Sequence, residues 1–246
     1  MTRNIDRKEL KKADQFVSFW TRVGTVVSAR RQLVLASLAG AVLLLVAVWG
    51  ISSLVARRAA NASRDFARIE RVANADLLPA TGEAPKTDDG LPHFKTEEER
   101  LQAALKEADT FLGAHSGSSL EGEAELLKAK YLLALGKGGE AVGIYKSLVT
   151  HVDQRLRFLA MEGLAYAQEA TGQIDEAIAA FAALAEASEK NGGFYRDRAL
   201  FGQARLLQKK GNTKEAERVY KEILEKTPTS SLREEINDRL ATLEGK

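Results

Sequence analysis

The sequence predicts an all-α protein: one N-terminal transmembrane helix followed by a solenoid of α-helical hairpins. Three observations lead there. Leu33–Ala56, LVLASLAGAVLLLVAVWGISSLVA, carries no charge and is bracketed by Arg30-Arg31 and Arg57-Arg58. A spacing G-x4-A-x3-[YF] occurs three times after Leu120, as Gly136, Ala141 and Tyr145, as Gly172, Ala177 and Phe181, and as Gly211, Ala216 and Tyr220. Leu- and Ala-rich stretches, ELLKAKYLLAL, AMEGLAYAQEA and ALFGQARLLQK, lie upstream of the three glycines. With 19 Gly, 9 Phe and 5 Tyr in 246 residues, chance alone supplies fewer than one such match.

Residues 1–32 form a basic leader, with eight Lys/Arg against three Asp/Glu. Within it Phe16, Phe19, Trp20, Val23 and Val27 fall on one helical stripe behind a candidate cap, Asp14. An amphipathic helix with aromatics on its apolar side belongs at a membrane interface. Residues 33–56 come next as the span: as a helix they reach ~36 Å, enough to cross a hydrocarbon core of ~30 Å. Their seven Leu, five Val and one Ile favour insertion, by a sum of about 5 kcal/mol. Ala60-Asn61-Ala62 and Ala73-Asn74-Ala75 read A-x-A like signal-peptide cleavage sites. Signal cores, however, run only ~7–15 residues behind a short basic start, so an uncleaved anchor is expected.

Beyond the span, residues 57–75 keep helix-forming composition and are expected to continue the helix into water as a stalk. Residues 76–95 hold Pro79, Pro85 and Pro92 with Gly82 and Gly90, a linker free to reorient the C-terminal domain. Basic residues crowd both ends of the span, so charge counting leaves orientation open.

Residues 96–246 are the repeat domain. Thr96 and Glu99 have capping-box spacing, and the helix they start is expected to stop at Gly113. This gives a partial leading repeat over 96–119. Three repeats come after it over about 122–155, 158–191 and 197–230, and residues 230–243 supply a capping helix. In each repeat the Gly ends a first helix in the left-handed conformation, the Ala lets a second helix approach, and the aromatic fills the space between hairpins.

Composition narrows function further. The chain has no Cys, which removes disulfides, thiolate metal sites and a Cys nucleophile. Residues 96–246 carry 21 Lys/Arg and 25 Asp/Glu, a mildly acidic balance that argues against nucleic acid. His93, His115 and His151 are too scattered for paired metal ligation. Gly136-Lys137-Gly138-Gly139 lacks the phosphate-loop frame, and Gly113–Gly117 is not a nucleophile elbow. No catalytic residue, cofactor site or metal site is expected, so the chain reads as a non-enzyme.

The repeat positions resemble the tetratricopeptide repeat, whose small first-helix residue corresponds to Ala129, Ala165 and Ala204. The aromatic usual early in the first helix is replaced by Glu125, Met161 and Leu200, and the repeats are spaced 36 and 39 residues apart. In the tetratricopeptide register the groove-facing positions are Glu123, Leu126 and Lys130, then Glu162, Tyr166 and Glu169, then Arg198, Phe201, Arg205, Gln208 and Lys209. The last set makes a basic face around Phe201, suited to a carboxylate or an acidic segment. Leu126 and Lys130 do not match the carboxylate clamp of cytosolic chaperone-binding repeats.

The layout of leader, single span, stalk and degenerate repeats is similar to the bacterial YfgM-like proteins, ancillary subunits of the SecYEG translocon. That resemblance implies an inner-membrane protein with a cytoplasmic N-terminus and periplasmic repeats. Its implied partners are the translocon and a membrane-bound periplasmic chaperone. The alternatives from other classes are a membrane-anchored receptor with cytosolic repeats and an accessory subunit of a secretion, polysaccharide or motility machine.

Overall fold

The computed structural model describes residues 17–25, 28–78 and 92–244. The chain divides into two compact units, Met1–Ala59 and Ala60–Lys246.

In the first unit residues 17–25 are helical (α1), with Phe19 and Trp20 edge to face at 5.6 Å. Asp14, Phe16 and Val27 of the expected interfacial stripe lie outside the described residues. Helix α2, Arg31–Ala73, is 43 residues long and begins its apolar stretch at once. It is long and apolar enough to cross a bilayer, and none of its apolar window is buried in protein. Its polar side chains are satisfied within the helix: the Ser37, Ser52 and Ser53 hydroxyls donate to the Leu33, Trp49 and Gly50 carbonyls at 2.7, 2.9 and 2.9 Å. Hydrocarbon offers no other partner, so such back-bonding keeps the segment compatible with lipid.

The second unit is built from α3 (Glu97–Ala114), α4 (Glu121–Ala134), α5 (Gly138–His151), α6 (Gln154–Ala170), α7 (Ile174–Glu189), α8 (Arg196–Lys209), α9 (Thr213–Lys226) and α10 (Arg233–Glu244). Three hairpins, α4/α5, α6/α7 and α8/α9, share one turn. Gly136, Gly172 and Gly211 have φ of 76°, 78° and 89°, a conformation open to Gly and costly for residues with a Cβ. Around each, two backbone bonds close the helix end: Lys137 N to Leu132 O and Gly136 N to Leu133 O, at 2.8 and 3.0 Å, repeat in register at 173/168 with 172/169 and at 212/207 with 211/208. This is the Schellman arrangement, which satisfies carbonyls that would otherwise be orphaned. Polar caps start other helices. Thr96 Oγ1 accepts from Glu99 N at 3.1 Å, and Asp153 Oδ1 accepts from Arg155 N and Leu156 N at 2.9 and 3.1 Å.

Two expectations need correction. Helix α3 runs through Gly113 to Ala114, and the left-handed residue of that turn is Gly117, at φ 76°. The extra turn is held because His115, its C-cap, stacks on Phe111 at 5.0 Å and bonds Asp65 of α2 at 2.7 Å.

The stalk, likewise, does not simply continue into water. Ala62, Ile69 and Val72 of α2 are buried with Ala104, Ala108 and Phe111 of α3 and Ala124 and Tyr131 of α4. Arg68 pairs with Glu107 at 3.1 Å. Residues 60–73 therefore pack their side chains against α3 and α4. Most of the expected linker, residues 79–91, lies outside the described residues, but its two ends are pinned. Leu77 bridges Phe94, Leu78 N donates to Phe94 O at 2.8 Å, and Arg100 Nη1 donates to Ala75 O at 3.2 Å.

Candidate partner-binding site

Between hairpins, Tyr145 of α5 and Phe181 of α7 are each seated on a glycine of the next first helix. A Cβ added at Gly202 would lie 2.7 Å from the Phe181 ring, and one at Gly163 would fall even deeper inside the Tyr145 ring. Ala141, Ala177 and Ala216 are fully buried, as are Ala129, Ala165 and Ala204, and Tyr145, Phe181 and Tyr220 are at most 4 % exposed. Burial pushes the Tyr145 hydroxyl up to about 12, with Glu162 adding to the effect. The two glycines were not singled out in the sequence. The signal available was their position, 18 and 21 residues after the aromatics they receive.

This stacking sets α4, α6 and α8 in a row and brings their polar residues into pairs. Glu162 meets Arg198 at 2.9 Å, and Glu169 takes a two-pronged contact from Arg205 at 2.7 and 2.5 Å, with Lys209 at 3.8 Å. Seven residues, two turns, separate the acids on α6 and also their arginines on α8, so the pairs lie in register. Glu123 of α4 continues the series to Arg155 of α6 at 3.7 Å. Hydrogen bonds from the Arg205 guanidinium hold the Glu169 carboxyl below the usual carboxylate range. Planar two-point geometry of this kind is the strong form of such a contact.

The predicted basic face around Phe201 is therefore not what the side chains make. Arg198 and Arg205 are already matched by acids of α6, which leaves Lys209 as the one cation in excess within this cluster. Phe201 is half-buried against the last core cluster, 5.8 Å from the Tyr220 ring, with the Arg239 guanidinium 5.2 Å from its own ring centre. It anchors the capping helix α10 and offers little to a ligand. Tyr166 does face outward: it is 40 % exposed and sits edge to face on Phe181 at 5.2 Å. Of the expected groove residues the structure thus joins Glu162, Tyr166, Glu169, Arg198, Arg205 and Lys209, and turns Phe201 toward the last core cluster. Lys130 is exposed one hairpin away, with no ion pair among the described residues.

In each pair the acid is the more sheltered member. Glu162 and Glu169 are 13 % and 16 % exposed, against 59 % for Arg198 and 62 % for Lys209. Arg205 and Lys209 share Glu169, Arg198 lies over Glu162, and Tyr166 sits near both arginines. Among the described residues no group of three or more His, Asp or Glu could hold a metal.

Residues 126–192 and 162–231 each match the family model of the tetratricopeptide repeat. The first match spans most of α4 through α7 and the second the greater part of α6 through α9, so each takes in two successive hairpins. Among solved structures, the chain is similar to a Podosopora anserina putative kinesin light chain with nearly identical TPR-like repeats. That likeness has a TM-score of 0.51 at 20 % identity and covers 60 % of this chain and 79 % of that one. A variant of the same protein matches with the same score and identity over 78 % of its length. No curated protein matches significantly. The fold is that of a tetratricopeptide-like solenoid, an architecture whose extended surfaces serve protein–protein contacts.

Proposed function

We propose that this chain is a non-enzymatic scaffold of the bacterial envelope, anchored in the inner membrane by α2, with its N-terminus in the cytoplasm and its repeats in the periplasm. There it assists exported proteins beside the SecYEG translocon, together with a membrane-bound periplasmic chaperone. The observation that carries this reading is the pairing of a helix whose apolar stretch is unburied among the described residues with a solenoid of protein-binding type in one short chain. An apolar stretch left unburied in protein needs lipid, and a repeat array without a catalytic group needs partners. The layout of span and degenerate repeats adds the translocon to the reading by resemblance.

Protease added to cells with a permeabilised outer membrane should digest the repeats and spare the leader. A photo-crosslinking residue in place of Tyr166 should capture a translocon subunit or the chaperone. Repeats that stay protected until the inner membrane is opened would refute the periplasmic placement, and crosslinks to neither partner would refute the export role.

A second reading is favoured by Arg57, Arg58, Arg64, Arg68 and Arg71, which lie close behind the span. Positive charge beside a span tends to remain cytoplasmic, and would make the chain a cytosol-facing receptor or an accessory subunit of another envelope machine. The same protease experiment separates the two.

A further inference from the structure

The charges on α2 beyond its apolar stretch are sorted by face. Asp65 reaches His115 at 2.7 Å, which turns this acid toward the end of α3. Arg58 shares the register of Asp65, but the other four arginines go elsewhere. Asn61, Arg64, Arg68 and Arg71 are exposed and spaced by 3, 4 and 3 residues, which places them on one stripe of the helix. Arg57 stands one heptad before Arg64 in the same register.

Every described arginine beyond α2 is tied to a carboxylate or to a carbonyl of a neighbouring loop, including Arg157 to Val152 O and Arg233 to Pro228 O. On α2, among the described residues, only Arg68 finds a carboxylate, Glu107. Arg71 reaches no further than the Ala67 carbonyl of its own turn, and Arg64 carries no ion pair among the described residues. Like charges at these spacings repel, and among the described residues Glu107 relieves only Arg68.

We propose that this stripe is a docking seam for an acidic helix of a partner protein, independent of the α6/α8 face. The spacing selects the occupant. Arg64 and Arg71 repeat every ~10.5 Å along the axis, the rise of seven helical residues. A partner helix with Glu or Asp at 3- and 4-residue intervals matches that period, as facing positions do in a coiled coil. An extended peptide, whose same-side residues recur every ~6.6 Å, does not match.

The test uses the full-length protein in nanodiscs of zwitterionic lipid. It is titrated with a labelled helical peptide of about three heptads carrying Glu along one 3-4 seam, and with an isomer whose Glu are spread around the helix. The seam peptide should bind roughly tenfold more tightly, and salt should weaken it. Arg64→Gln with Arg71→Gln should abolish the difference, while Arg64→Lys with Arg71→Lys, which keeps the charge, should retain most of it. The thermal melt of each variant checks that it folds. Equal binding of both peptides, or an undiminished preference in the Gln variant, overturns the proposal. So does protection of Arg64 and Arg71 from an arginine-modifying reagent that appears only when anionic phospholipid is added, since the stripe would then be a lipid contact.

Discussion

The ring of Tyr145 lies where a side chain at position 163 would have to be, and Gly163 is the residue that makes room for it. Glycine inside a helix is a poor choice by propensity, costing about 1 kcal/mol against alanine, so its presence in the middle of α6 reflects packing. Gly163→Ala and Gly202→Ala should each lower stability by about 1–3 kcal/mol despite better helix propensity, because the added methyl overpacks a ring seated against backbone. Chemical denaturation of the full-length protein in mild detergent measures this. A stabilised alanine variant would show that the seat is loose.

Phe181 is 1 % exposed and bridges the second and third hairpins through Gly202 and Tyr166. Its truncation to Ala should cost about 3–5 kcal/mol, the sum of lost burial and an unfilled cavity. The loss should appear as a shifted unfolding midpoint, and an unchanged midpoint would mean that the hairpins do not share this ring.

Ile69 tests whether the end of α2 belongs to the solenoid. It is fully buried with Phe111 and Ala108, so Ile69→Ala should cost about 2–5 kcal/mol. It should also raise amide exchange in α3. A free stalk would tolerate the change without effect on α3.

Acid should act through Glu169. Its folded carboxyl is held down by hydrogen bonds from Arg205, while in the unfolded chain it titrates near the ordinary value of about 4.3. The group therefore contributes stability above that pH and loses it as pH falls through the lowered folded value. Glu169→Gln should destabilise at neutral pH and show a shallower loss of melting temperature below about pH 5 than the native chain. Parallel acid limbs for the two proteins would contradict the pairing.

Alkali should act with the opposite sign through Tyr145. Its hydroxyl is raised to about 12 by burial, so the folded state resists ionisation. The stability it contributes is full below the unfolded value of about 10 and is lost as pH rises through the folded one. Tyr145→Phe keeps the ring and removes the proton, so its melting temperature should fall less steeply between about pH 10 and 12. Equal slopes would mean that the hydroxyl is already in water.

The long apolar helix, the three glycine turns and the buried alanines and aromatics were legible in the chain itself because each depends on local rules. An uncharged run of helical length has one comfortable solvent, and a glycine with φ near 80° closes a helix wherever it stands. What the sequence could not reveal was which surfaces meet. The acids of α6 and the arginines of α8 were each visible as charged helix faces, but their mutual cancellation depends on two helices lying side by side in register. The same holds for Phe201, which reads as a groove aromatic until α10 covers it, and for Ile69, which reads as stalk until α3 folds against it. Periodicity reports that a residue has a buried or an exposed side; only tertiary packing decides what lies opposite, because the partner comes from a distant part of the chain and no local pattern records it.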